Sequence, residues 1–430
     1  MKRYPQYKDS GALWLGQVPA HWPLVRYKYV FNERVPRKDS ALPAGAISYG
    51  KVVLKDDDAM HVATKASYQE VLKGDFLVNP INLNYDLKSL RTALSEIDVC
   101  VSPAYIVLRP SIEADSSYLK HQLNVFDVSH MKTLGAGVRQ TISFKDIGNC
   151  WTVMPPREEQ EAISFYLDEE VGRIDAAISS QERMIELLKE RRSTIITQAV
   201  TKGLDPKAKM KDSGVPWLGQ VPAHWEVKAL KHISATDSCG SYGLDEFQSE
   251  INMPVATTAQ ISKEGLFNVD DMPIRSFTHR ELARFGCMTG DVLVVKSSGS
   301  ASNIISGKAG LVEETTPKFV FSNFLLRLRV NKESACPYFI FSLLRSHLTR
   351  QRVELMCSTT TYPNLKIGEY VSAWLPVPPL VEQKAISLYL RRALGEIDSA
   401  VSSQERLIEL LKERRSAIIT QAVTGQIDVR

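Results

Sequence analysis

One segment, patterned as a helix, occurs twice in this chain and limits what the rest can do. Residues 179–201, SSQERMIELLKERRSTIITQAVT, return at 402–424 as SSQERLIELLKERRSAIITQAVT, differing only at Met184/Leu407 and Thr194/Ala417. With Ile178 at heptad position a, the a set is Val171, Ile178, Ile185, Arg192 and Ala199, and the d set is Ile174, Gln181, Leu188 and Ile195. An apolar seam repeating every ~3.5 residues predicts coiled-coil packing, with polar breaks at Gln181 and Arg192. An offset of 223 residues, from Ser179 to Ser402, carries the register intact onto Leu394, Ile397, Val401, Gln404, Ile408, Leu411, Arg415, Ile418 and Ala422. Neither helix can bury its stripe alone, and two matching seams in one polypeptide meet at high effective concentration. The seams are therefore expected to pack on each other. The competing expectation, two surface helices docked on separate cores, gives no reason for the same face to appear twice.

A second repeat precedes each helix at a distance. KDSGALWLGQVPAHW at 8–22 returns as KDSGVPWLGQVPAHW at 211–225, so the chain reads as a tandem duplication. Each copy runs from this opening motif through a variable body to a Pro-Pro-x-x-Glu-Gln exit and the long helix. The opening motif, with its glycines, prolines and two tryptophans, reads as a turn-rich cap anchored by indoles. His21 and His224 sit beside tryptophan in both copies with no acid or thiol at a diagnostic spacing, which favours a structural role. The exits, Pro155-Pro156 with Glu159-Gln160 and Pro378-Pro379 with Glu382-Gln383, end a strand and start a helix. Gly172 and Gly395 fall at equivalent places and mark a possible shared kink. The expected boundaries are 1–157 for the first body with its opening motif, 158–202 for the first helix, 203–380 for the second body and 381–430 for the second helix.

The bodies share almost no sequence, but they share punctuation. A Gly-Asp pair precedes an apolar run at Gly74-Asp75 and at Gly290-Asp291, a β-rich run follows near 105–108 and 324–328, then a helical pattern at 118–128 and 338–356, a polar loop and a last strand. Each body is therefore expected to be a compact α+β domain with a curved or barrel-like sheet. A chain of 430 residues needs more than one core. Its 53 Lys and Arg against 49 Asp and Glu permit a nucleic-acid partner without requiring one. The six cysteines are scattered with no C-x-x-C pair, no segment has the composition of a membrane span, and the first residues lack a secretory apolar stretch. These features fit a reduced, cytoplasmic chain without a structural metal.

Enzyme signatures are missing from the sequence. The nearest string to a phosphate-binding loop, SNIISGKA at 302–309, lacks the first glycine and the terminal hydroxyl. Asn79-Pro80-Ile81 lacks the second proline and aromatic of an amino-methyltransferase motif, and no G-x-S-x-G or H-E-x-x-H occurs. What the bodies do offer is polar loops with side chains that hydrogen-bond base edges. In the first body these carry Asn82, Asn84 and Tyr85, then Arg139 and Gln140; in the second, Lys296, Ser298, Ser300 and Asn303, then Thr360, Tyr362 and Asn364. Since 23–153 holds 16 Lys and Arg against 14 Asp and Glu, phosphate neutralisation would rest on local patches such as Arg345, Arg350 and Arg352 or on a partner.

The doubled order K-D-S-G…W-L-G-x-V-P-x-H-W, variable body, P-P-x-x-E-Q and K-E-R-R-S…I-I-T-Q-A-V-T resembles the specificity subunit of type I restriction-modification systems over essentially the whole chain. The resemblance implies two α/β target-recognition domains in tandem, each reading half of a split double-stranded DNA target. It implies an antiparallel coiled coil of the two helices, with a pseudo-two-fold internal repeat, acting as a ruler and docking two modification (methyltransferase) subunits. Motor-nuclease (restriction) subunits would join these. S-adenosylmethionine, ATP and Mg would belong to the partner subunits, and the chain itself would be non-catalytic, with no cofactor of its own. The alternative is a two-headed protein-protein adaptor with no DNA role.

Overall fold

The computed structural model describes residues 2–48, 50–56, 60–81, 90–134, 141–237, 239–297, 299–300, 303–357 and 364–430. The chain divides into two units, one of Met1–Glu182 with Glu405–Arg430, the other of Arg183–Gln404, so that each contains half of both long helices.

In the first unit the opening motif is a hairpin of β1 (Tyr7–Asp9) and β2 (Gln17–Pro19). Asp9 Oδ1 accepts the Gly11 N–H at 2.9 Å, and Gly11 has φ +68°, a conformation only glycine adopts cheaply. β3 (Leu24–Arg26) and β4 (Phe31–Glu33) follow, then β5 (Phe76–Val78), β6 (Thr92–Leu94) and β7 (Ile106–Pro110). α1 (Ser116–Ser129), the short α2 (Phe144–Gly148) and β8 (Trp151–Val153) lead into α3 (Arg157–Lys202). The second unit repeats this with β9 (Met210–Asp212) and β10 (Gln220–Pro222) as the hairpin. It continues through β11 (Glu226–Ala229), β12 (Ser234–Asp237), β13 (Asp291–Val295), β14 (Ala309–Leu311) and β15 (Leu325–Val330). α4 (Pro337–Leu344), α5 (His347–Cys357), α6 (Ile367–Val371), β16 (Trp374–Val377) and α7 (Leu380–Val423) complete it. The helical pattern at 338–356 is thus two helices, broken at Ser346, whose Oγ accepts the Thr349 N–H.

Beneath their dissimilar sequences the bodies hold the same antiparallel sheet, in the order β4-β7-β5-β6 in one and β12-β15-β13-β14 in the other. Both faces of the central strands are covered. Phe76, Val78, Ile106 and Leu108 join the core that includes α1, while Leu77 and Val107 pack with Val71, Val99 and Val101 on the other side. In the second unit Val292, Val294, Leu326 and Leu328 take the first role and Leu293, Val295 and Leu325 the second. The shared Gly-Asp pair has a physical basis. Asp75 is buried and accepts the Leu72 N–H at 2.9 Å, Arg109 Nε at 2.9 Å and Arg34 Nη1 at 2.7 Å. Asp291 accepts the Met288 N–H at 2.9 Å and Arg329 Nε at 2.9 Å, the same arrangement. Burying a carboxylate without such partners is strongly unfavourable.

The opening and exit motifs turn out to be one device. Trp22 is fully buried and donates Nε1–H to Glu159 at 2.9 Å, and His21 Nε2 lies 2.8 Å from the other oxygen of that carboxylate. Trp225 and His224 reach Glu382 at 3.1 and 2.8 Å. The acid partner of each histidine therefore exists, but far away in sequence, and it fixes the motif in place. The neighbouring glutamine holds the body: Gln160 Oε1 accepts the Asp115 N–H at 2.9 Å, just before α1, and Gln383 Oε1 accepts the Cys336 N–H at 2.8 Å, just before α4.

α3 and α7 pair as an antiparallel coiled coil, the first part of α3 with the last part of α7 in one unit and the reverse in the other. Ile174, Ile185, Ile397, Ile408 and Ile418 are buried, and Ile178, Leu188, Ile195, Val401 and Leu411 are half-buried, whereas most positions between them are exposed. Arg192 and Arg415, the polar breaks, are answered across the pair by Asp398 at 3.2 Å and Asp175 at 2.8 Å, two bonds related by the same 223-residue offset. Helical structure runs unbroken through Gly172 and Gly395.

After α7 the chain returns to the opening motif of the first unit. Asp428 N–H donates to Lys2 O at 3.0 Å, Tyr7 Oη–H to Gly425 O at 3.1 Å, and Arg430 pairs with Glu159 at 3.2 Å.

Candidate nucleic-acid interface

Most of the sequence-predicted readers, namely Asn82, Asn84, Tyr85, Arg139, Gln140, Ser298, Thr360 and Tyr362, lie outside the described residues, and for Ser300 and Asn303 only the backbone is described. The roots of their segments are described, and in each unit those roots meet. Ile142 N–H donates to Pro80 O at 3.1 Å in the first unit; Leu365 N–H donates to Lys296 O at 2.7 Å in the second. Ile142 and Leu365 are related by the 223-residue offset and both are buried. Ser297 bridges to Asn364, and Ser300 pairs with Asn303 across a two-strand hairpin. Two polar segments distant in sequence thus leave from one end of the same sheet in both bodies. Asn364 is exposed. Lys296 is half-buried, and this desolvation holds its ammonium below the usual lysine pKa although Cys239 and Asp237 pull the other way.

Polar groups that sequence reasoning missed support these roots. In the first unit the Arg91 N–H donates to Asp127 at 2.5 Å with its Nε 3.5 Å from the same carboxylate, and Thr92 Oγ1–H donates to Asn124 at 2.8 Å. Burial pushes the Asp127 carboxyl up to about 6 against the pull of Arg91. The partners stand 36 and 32 residues apart, and no spacing along the chain marks them. In the second unit Arg350 donates to Ser306 O at 2.7 Å and Ile304 O at 3.2 Å, tying α5 to the hairpin. Arg345 stacks over the Phe341 ring at 4.9 Å and donates to Lys263 O at 3.0 Å, and burial lowers it to about 10. Of the three arginines expected to neutralise phosphate, two are therefore engaged with the protein's own carbonyls, and Arg352 is exposed.

Among the described residues no group of three or more His, Cys, Asp or Glu could hold a metal ion, and no helix is long and apolar enough to cross a membrane.

No family model matches the chain. It is 22% identical over 323 residues to the type I restriction enzyme MjaVIII specificity subunit of Methanocaldococcus jannaschii, spanning 74% of this chain and 69% of that protein. The EcoKI specificity subunit of Escherichia coli is 30% identical over 138 residues, 32% of this chain and 29% of its own length. Among solved structures, a chain from a study of the assembly and conformational transition of the type I restriction-modification system aligns with a TM-score of 0.68 at 16% identity, covering 95% of this chain and 99% of that one. The fold is thus shared along the full length, and the curated relatives matched over most of it carry one description. The relatives that the chain resembles over most of its length are specificity subunits of type I restriction enzymes.

Proposed function

We propose that the chain is the DNA-sequence reader and assembly scaffold of such a system. Each body reads one half of a split duplex target with the segments rooted at Pro80 and Ile142 or at Lys296 and Leu365. The long helices set the spacer between the halves and dock two modification subunits, which restriction subunits join in the cytoplasm. The observation that carries this reading is the recurrence of one root geometry in two bodies of unlike sequence, which gives segments of different identity the same point of departure. Within them we assign base readout to Arg139, since a guanidinium bridging guanine O6 and N7 gives roughly 1–3 kcal/mol of discrimination. The chain contributes no catalysis: S-adenosylmethionine, ATP and Mg belong to the partner subunits.

Exchange of residues 23–152 for the corresponding body of another such subunit tests this. In the assembled complex it changes one half of the methylated target and leaves the other half intact; a target unchanged in both halves refutes the reading. DNA affinity falls steeply with log[salt]. A two-headed protein adaptor would show no such slope.

A further inference from the structure

Nine residues after the roots Ile142 and Leu365, each unit exposes a tryptophan that belongs to none of its core clusters. Trp151 opens β8 and is 40% exposed; Trp374, related to it by the 223-residue offset, opens β16 and is 51% exposed. The residue before each accepts a backbone bond from a tight turn, Tyr27 N–H to Cys150 O at 3.1 Å and Leu230 N–H to Ala373 O at 3.2 Å. Those turns carry exposed Lys28 and Tyr29 in one unit and exposed Lys231 and His232 in the other. In the first unit the Arg26 guanidinium also lies 4.8 Å above the Trp151 ring. Tryptophan and lysine thus recur at matched places in two bodies that otherwise share little sequence. From the buried root Ile142 only the short helix α2, about 8 Å long at ~1.5 Å per residue, intervenes before this patch.

An exposed indole with cations beside it suits a surface that alternates anionic and apolar groups. The deoxyribose-phosphate backbone of a duplex is such a surface, since the indole N–H and the ammonium meet phosphate oxygens while the ring face covers a sugar. We infer that each unit carries a sequence-independent grip on the DNA backbone, formed by Trp151, Arg26, Lys28 and Tyr29 in the first unit and by Trp374, Lys231 and His232 in the second. The inference rests on the DNA-reading function proposed above and adds a site to it.

The test uses the full chain assembled with its modification subunits, and duplexes with and without the target, over a salt series. Trp151→Ala or Trp374→Ala lowers affinity for both duplexes by the same factor, roughly threefold to tenfold, the range of one hydrogen bond. Lys28→Gln and Lys231→Gln, on exposed side chains that leave the fold intact, each lower the salt slope by about one. Discrimination against single-base changes stays as in the unaltered complex. Variants that bind both duplexes like the unaltered complex overturn the grip, as does a loss confined to one base pair. A loss of modification subunits with unchanged DNA affinity also overturns it, and marks the patch as a protein contact. If the unaltered complex itself has no salt-dependent affinity for DNA, it is the reading of the whole chain that fails.

Discussion

The carboxylate at each exit motif holds the opening motif, and the two copies are unequally buried. Glu159 is 7% exposed and also meets Tyr4 at 3.0 Å and Arg430, while the Glu382 side chain is 29% exposed and meets only His224 and Trp225 among the described bonds. Removing a carboxylate leaves its buried donors unsatisfied, so Glu159→Ala is expected to cost about 3 kcal/mol and Glu382→Ala about 1 kcal/mol, measured by urea unfolding. Burial works against the Glu159 charge, but the bonds from Trp22, His21 and Tyr4 outweigh it and hold its pKa below the ordinary glutamate value. Its contribution is therefore present above about pH 4.3, the unfolded value, and is lost as the pH falls below it. Asp127 behaves oppositely. Its carboxyl, raised to about 6, keeps in the folded state a proton that the unfolded chain releases near 4, so its effect is to lower stability as pH rises between those values. Asp127→Asn is expected to flatten the pH dependence of the urea midpoint in that window, and an unchanged slope would count against this assignment. Little of this was legible in the sequence. The Trp22 and Glu159 partners stand 137 residues apart, and a pattern read along the chain has no means of joining them.

At the scale of elements the sequence was far more informative for helices than for sheets. A seam repeats apolar residues at most a and d positions, so α3 and α7 announce themselves through periodicity, register included. The central strands β5 and β13 are buried on both faces, so they show no alternation, and unlike apolar sequences serve the same four-strand order equally well. The buried aspartates, which pair with an arginine on the neighbouring strand, left a visible trace as the Gly-Asp pairs, as did the β-rich runs of β7 and β15. Gly172 and Gly395 lie within unbroken helix, and a Cβ added at either would meet nothing within 4 Å. Gly172→Ala and Gly395→Ala are therefore expected to stabilise the isolated chain by about 1 kcal/mol each, seen as a higher Tm; destabilisation would show that these positions need glycine. If the helices are the ruler, one added heptad after Leu188 and another after Leu411 lengthen the pair by about 10.5 Å at ~1.5 Å per residue. That is close to three base pairs at ~3.4 Å per step. The preferred spacer should grow while both half-sites stay unchanged, and retention of the original spacer would remove the ruler from the account.

For the molecule as a whole, the paired bonds Arg192–Asp398 and Arg415–Asp175 have a further consequence. α3 by itself contains both an arginine and an aspartate of this kind, at Arg192 and Asp175, and its 179–201 stretch matches the helix it normally faces at all but two positions. An α3 laid antiparallel on a second α3 would satisfy the same two ion pairs and close the same seam. A chain of residues 1–209 is therefore expected to form a homodimer with an isologous interface, observable as a mass of two chains by sedimentation; a stable monomer would contradict this. Under the reading proposed here, such a dimer of identical halves could address only palindromic DNA, because its two-fold axis obliges both halves to read the same bases in inverted order. Fusing two copies and letting the bodies diverge removes that obligation while the interface stays symmetric, so the full chain can address a target whose two halves are unrelated.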